Sequence, residues 1–178
     1  LAADGLGNAA PSTASPYVGE DPPLFVIAID RYGEESHRPR ERKDTLVNIL
    51  ERKEFVVNMV DEPIAQRMAR CATDFPSRVS EPQEVGLALV PSKVVQVPRI
   101  AEAPISWECE LFRAIEFSPH RTLVFGQIVS MAFKDDLLDE DRLRVHVDRF
   151  APYRRLGGPN YARTTRRVQL RGPTFIPP

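Results

Sequence analysis

Four consecutive residues, Arg42-Lys43-Asp44-Thr45, open a segment of helical pattern and carry the groups an anion needs. The first turn of a helix leaves backbone N–H groups unpaired and bears partial positive charge, which suits a phosphate. Arg42 and Lys43 add full charges and the Thr45 hydroxyl a further donor. Asp44 can cap the same N-terminus and would compete with an anion if aimed at it. Basic residues ahead of a capped helix are also ordinary solvated surface, so these four residues by themselves leave both readings open.

Other chemistries fail on spacing. The run His37, Arg38, Arg40, Arg42, Lys43 invites a nucleic-acid reading, but Glu34, Glu35, Glu41 and Asp44 dilute it, and Tyr32 is the only aromatic near it. A solvated loop is expected there, with no nucleic-acid partner. His37, His120 and His146 have no ligand spacing with each other or with Cys71 and Cys109, so no metal is expected. There is no G-x-S-x-G and no Walker-type loop, and Leu156-Gly157-Gly158 is too short for a dinucleotide fingerprint. The acidic run Asp135, Asp136, Asp139, Glu140, Asp141 includes Leu137 and Leu138 and lacks a calcium loop's central glycine, so it reads as a solvated turn or helix. Cys109, beside Trp107 and Leu111, reads as a buried inert thiol; Cys71 follows a helical pattern without redox or metal spacing around it. No catalytic residue can be assigned.

The chain around these residues has 178 residues, enough for one domain with a proper core. Its 24 basic and 25 acidic residues nearly cancel, which gives no global pull toward nucleic acid or membrane. No apolar run approaches the roughly 20 residues of a bilayer span, and the first residues lack a signal-peptide pattern, so a cytoplasmic location is expected. Asp4-Gly5 is a hairpin turn signal preceded only by Leu1-Ala2-Ala3, from which a lost leading strand is expected.

Leu24 to Ile29 reads as a buried strand and Asp30 to Lys43 as a charged loop. Thr45 to Arg52 reads as a helix with Leu46, Ile49 and Leu50 on one face. Phe55 to Val60 is a β-branched strand, and Ile64 to Cys71 a second helix entered through Glu62-Pro63. From Trp107, Cys109, Leu111, Ile115 and Phe117 alternate with polar Ser106, Glu108, Glu110 and Glu116. After a turn at Ser118-Pro119-His120, the apolar positions Leu123, Phe125, Val129, Met131 and Phe133 continue. Period two on both arms predicts a long antiparallel hairpin with one buried face. Long strands with short helices imply an α+β architecture around a mainly antiparallel β-barrel.

In order and spacing, several segments resemble the flavin reductase-like family with the FMN-binding split-barrel fold. Asn8-Ala9-Ala10-Pro11-Ser12-Thr13 is similar to its "N-x-A-P-x-S", Asp21-Pro22-Pro23-Leu24 to its "D-P-P-L", and Lys43-Asp44-Thr45 with Asn48-Ile49 to its "K-D-T-x-x-N-I". Glu54-Phe55-Val56-Val57-Asn58 resembles "E-F-V-V-N". Pro91-Ser92 ahead of Val94, Pro98-Arg99-Ile100 and Glu108-Cys109 resemble the middle section. Arg155-Leu156-Gly157-Gly158 with Tyr161-Ala162 resembles "R-L-G-G-x-x-Y". The matches span nearly the whole of residues 1–178, read as a single split-barrel domain.

The resemblance implies a homodimer with FMN near the subunit interface, and NAD(P)H as co-substrate delivering hydride to the flavin. It implies phosphate contacts from Lys43 and Thr45, with Arg42 and Asp44 beside them. Pro11, Ser12, Thr13, Ala14 and Ser15 would run along the isoalloxazine ring, Ser77 and Arg78 would close over the flavin, and Tyr161 would lie near the pocket mouth or in the core. Ser12 and Ala14 are smaller than the family's usual residues, which implies a more open wall. A non-enzymatic FMN electron carrier between protein partners would share this anchor, and a barrel that has lost flavin and serves as a structural or interaction module is the third reading. Reduction of bound flavin by NAD(P)H alone separates the enzyme from the carrier.

Overall fold

The run Leu24–Ile29 is apolar at successive positions because both sides of this strand find cover: Phe25, Val26, Ile27 and Ile29 are all buried. In the computed structural model, which describes residues 1–13, 16–76, 78–158 and 160–164, it forms the centre of β2. The order along the chain is β1 (Tyr17–Glu20), β2 (Pro23–Asp30), α1 (Asp44–Arg52), β3 (Glu54–Asn58), α2 (Glu62–Arg70), α3 (Glu81–Glu84), β4 (Leu89–Val90) and β5 (Arg99–Ile100). The long hairpin β6 (Ile105–Ser118) and β7 (Arg121–Phe133) follows, then β8 (Leu138–Asp139), β9 (Arg144–Val145), β10 (Tyr153–Gly157) and β11 (Asn160–Arg163).

Five strands form one antiparallel sheet in the order β1-β2-β7-β6-β3, and the remaining strands pair as the small hairpins β4-β5, β8-β9 and β10-β11. The fold is thus α+β and mainly antiparallel, as expected, with β1 and β3 as open edges of the main sheet among the described residues. At the start of the chain the Asp4-Gly5 turn forms: Gly5 takes φ +87, its N–H donates to the Ala2 carbonyl at 3.0 Å, and the Asp4 carboxylate accepts from the Leu6 N–H at 3.1 Å. The acidic run forms a turn and then the short β8-β9 hairpin around buried Leu137.

Helix α1 lays Leu46 and Ile49 onto the sheet, where they meet Phe25, Ile27, Ile29, Phe55, Cys109, Val124 and Ile128. Trp107 packs edge-on against Phe25 with ring centroids 5.4 Å apart. Full burial of such side chains contributes roughly 1.5–3 kcal/mol each, so this cluster fixes where α1, and therefore its N-terminus, must sit. A second cluster of Ile64, Cys71, Val85, Leu87 and Ala103 joins α2 to the segment around α3.

Gly126 lets the sheet and Phe55 meet. A Cβ at this position would overlap the Phe55 ring, coming within 2.7 Å of Cε1. Gly126→Ala is therefore expected to destabilise the fold by about 1–3 kcal/mol, read as a lower urea midpoint with unchanged m-value. Phe55→Leu in the same background should restore part of that loss.

The hairpin corrects the period-two reading. The buried positions of β7 are Thr122, Val124, Gly126 and Ile128, whereas Leu123 and Phe125 are only half-buried and Met131 is 48% exposed. On β6, Ile115 and Phe117 are 40% and 59% exposed, while Ser106 and Glu108, expected at the surface, are buried. Two physical reasons account for this. Strand β7 is apolar on both parities, so alternation cannot choose its face. Register shifts at Glu108/Cys109, Leu111/Arg113 and Glu116/Ser118 also break the alternation of facing residues, since an extra residue reverses which side the next one takes.

Candidate functional site

Helix α1 starts where the sequence places it, and its N-terminus is open. Lys43 is the N-cap residue, in extended conformation, and no side chain caps the helix. Asp44 does not act as the cap: its carboxylate is held by the Arg38 guanidinium at 2.7 and 2.9 Å and by the Tyr32 hydroxyl at 3.3 Å. Arg38 also lies over the Tyr32 ring, 4.3 Å from its centroid. The Asp44 hydrogen bond holds the guanidinium even more firmly in its charged form. The negative charge that would oppose an anion at this helix start is thus already matched by a cation.

The Thr45 hydroxyl donates to the Asn8 side-chain oxygen at 3.2 Å. The Asn8 amide in turn donates to the Glu81 carboxylate at 3.0 Å, and the Ala9 N–H donates to the other Glu81 oxygen at 3.1 Å. Burial raises the Glu81 pKa, an effect that the bonds from its own N–H, Ala9 and Asn8 partly offset. Glu81 on α3 therefore fixes the Asn8–Ala9 backbone against α1. A cavity of about 140 Å³ lies at this junction, lined in part by Asn8, Asp44, Asn48, Val79 and Glu81. Asn48 is buried, and its Nδ2 has no partner among the described residues. An uncapped helix start, a lysine and an orphaned buried donor, beside carboxylates already engaged, form a donor set that fits the phosphate end of a nucleotide.

The other expected residues are brought in to differing degrees. Arg42 is exposed and donates to Glu116 at 3.2 Å, at the far end of the β6–β7 hairpin. Pro11, Ser12 and Thr13 lie in an irregular segment following Asn8, with Ser12 and Thr13 exposed. The Thr13 hydroxyl accepts from Arg155 Nη1 at 3.3 Å, and Tyr161 stands opposite Arg155 in the β10–β11 ladder. Arg78 is exposed in the loop between α2 and α3, next to the cavity-lining Val79. Ala14, Ser15 and Ser77 lie outside the described residues.

Sequence reasoning missed Asn8 and Asn48 as site residues, although both stand at asparagine positions of the motifs quoted above. It also missed Glu81, which lies more than 70 positions from its partners and gave no signal. The arginines of the basic run are matched by carboxylates, Arg38 by Asp44 and Arg40 by Glu34 within the segment and Arg42 by Glu116 of the hairpin. Both cysteines are buried, and burial pushes the Cys71 thiol up to about 11 and the Cys109 thiol up to about 12. Among the described residues, no group of three or more His, Cys, Asp or Glu side chains could hold a metal, and no helix is long and apolar enough to cross a membrane.

Residues 2–153 match the model of the flavin reductase like domain. The chain belongs to this family. Among solved structures, flavin reductase-like residues 1–178 resemble 2-nitrobenzoate 2-nitroreductase NbaA of Pseudomonas fluorescens at 57% identity and TM-score 0.88, covering 99% of this chain and 83% of that one. Nitrilotriacetate monooxygenase component B of Bacillus cereus is 32% identical with TM-score 0.85, covering 96% and 83%. A split-barrel-domain protein of Shewanella frigidimarina, 18% identical with TM-score 0.75 over 92% and 78%, shares the fold. The flavin reductase-like fold thus carries the open α1 N-terminus and the Asn8–Thr13 segment side by side.

Proposed function

We propose that this chain is an FMN-dependent oxidoreductase that takes hydride from NAD(P)H and passes electrons to an aromatic nitro compound. The observation that carries the cofactor assignment is the uncapped start of α1 at Lys43, with Asp44 neutralised by Arg38. Support for the acceptor class comes from the 57% identity with the 2-nitrobenzoate nitroreductase over almost the whole chain.

In this reading Lys43 and the first N–H groups of α1 hold the phosphate. Asn8, braced by Glu81 and Thr45, sets the course of the Pro11–Thr13 segment along the ring. Bound there, FMN supplies the hydride chemistry, so the protein needs no acid–base dyad. The side chains bind, orient and exclude water. Phe112, Ile115, Phe117 and Met131 on the β6–β7 hairpin stay 53%, 40%, 59% and 48% exposed. Apolar side chains left exposed along this hairpin support a homodimer, with a second copy covering it.

The test is an absorbance spectrum of the protein with FMN, taken before and after anaerobic NADH and then NADPH, followed by a nitroarene. Bleaching by a nucleotide and recolouring by the nitroarene is the expected result and identifies the donor. A bound flavin that stays oxidised with both nucleotides points to the electron carrier instead. No bound flavin refutes the assignment.

A further inference from the structure

The hairpin β10–β11 contains three cations, Arg154, Arg155 and Arg163, and no acidic residue. Arg163 is matched by Glu62 at 2.6 Å, and Arg154 is exposed. Arg155 differs from both. It is half-buried, its Nε donates to the Gly158 carbonyl at 2.9 Å, and its Nη1 donates to the Thr13 hydroxyl at 3.3 Å. Both acceptors are uncharged, and no carboxylate pairs with this guanidinium among the described residues.

Among the described residues, two of its five N–H donors are thereby engaged. They hold the plane of the group against the segment that follows Asn8, while the Nη1–Nη2 edge keeps the fork that takes a carboxylate through two parallel bonds. A fork already oriented by two neutral bonds loses little further freedom when it binds an anion. Tyr161, paired with Arg155 across the ladder, adds an aromatic group to the same hairpin.

We propose that Arg155 recognises an anionic aromatic acceptor, gripping the carboxylate of a benzoate-type ring beside Thr13. The proposal rests on the flavin-site reading above, because Thr13 belongs to the segment assigned there to the ring. It makes charge on the acceptor a determinant of specificity, read by a residue more than 140 positions away from the segment it faces.

Benzoate and benzamide carry the test, since neither is reduced and binding is read without turnover. Calorimetric titration of the FMN-loaded protein should show benzoate preferred by about 10-fold or more, the scale of a bidentate charge-assisted pair. Arg155→Gln should bring that preference close to unity, and Arg155→Lys should restore part of it. An unchanged preference in Arg155→Gln, or no benzoate binding by the natural protein, overturns the proposal. Equal weakening of both ligands makes Arg155 a brace for Thr13 only, and a loss confined to NADH titrated in their place makes it a site for the donor; each outcome overturns the proposal too. Failure of the natural protein to bind FMN is a separate result, visible in the flavin absorbance, and sinks the earlier reading. Benzoate titration of the flavin-free protein then decides on Arg155 alone.

Discussion

Lys43→Ala is expected to cut the preference for FMN over riboflavin by about 10- to 100-fold, the range for losing a charge-assisted contact to phosphate. The two flavins differ only in the phosphate, so their ratio isolates that end of the site from the ring and the polyol. Lys43 is the N-cap of α1, and its charge adds to that of the unpaired N–H groups of the first turn. Lys43→Arg keeps the charge and should retain most of the preference. Thr45→Ala acts differently. The Thr45 hydroxyl proton is given to Asn8, so its loss loosens the Asn8–Ala9 segment and should weaken both flavins. Fluorescence-quenching titrations with each flavin read both effects. An unchanged ratio in Lys43→Ala would place the phosphate elsewhere.

Glu108→Ala is expected to lower stability by about 3 kcal/mol, because it leaves three backbone N–H groups, that of buried Val95 among them, without their acceptor. The Glu108 side chain is fully buried, and its carboxylate accepts from the N–H groups of Lys93, Val94 and Val95 at 2.9, 2.7 and 3.3 Å. These bonds fasten the loop between β4 and β5 to the long hairpin. Lys93 and Val94 are exposed and can hydrate once released, which keeps the loss below the sum of three orphaned donors. Glu108→Gln keeps one acceptor oxygen and should cost less, about 1–2 kcal/mol. Urea unfolding gives the magnitude, and faster hydrogen exchange at residues 93–95 locates it.

The same carboxylate sets a pH dependence of stability. Burial alone would push its pKa up. The three N–H donors, with the charge of Arg99, outweigh burial and hold it below the ordinary glutamate value of 4.5. A depressed folded pKa means that this stabilisation is complete above 4.5 and is lost as the pH falls through the folded value. Glu108→Gln should therefore flatten the acid limb of the stability curve between those two points. An acid limb of unchanged slope would show that other carboxylates carry it.

Local signals were enough wherever a segment's character is written in its own residues, whatever it later packs against. The start of α1, its Leu46–Ile49 face, the β2 strand, the Asp4-Gly5 turn and the β6–β7 turn all follow from spacing, propensity and turn chemistry. Residues 42–45 do stand at the start of α1, but Arg42 turns away to Glu116 and Asp44 to Arg38. Those two partnerships depend on where a loop folds back and where a hairpin ends, which no local pattern encodes. The order and spacing of the motifs were enough to place the chain in the flavin reductase-like family, because a family match uses the whole chain at once.

Tertiary structure alone decided which face of the hairpin is buried and which polar residues are bound inside. Strand β7 offers apolar residues on both sides, and the buried side is the one whose Val124 and Ile128 pack with Leu46 and Ile49 of α1. Glu108 and Glu81 look like surface residues in the sequence. Backbone N–H groups hold fully buried Glu108 and half-buried Glu81, and they come from residues 13 to 15 positions away for Glu108 and 72 positions away for Glu81. The sequence by itself determined the main strands and the two longer helices, the family, and where α1 starts. Only the folded chain decided how that start is braced, through hydrogen bonds that tie Asn8 to partners 37 and 73 positions away.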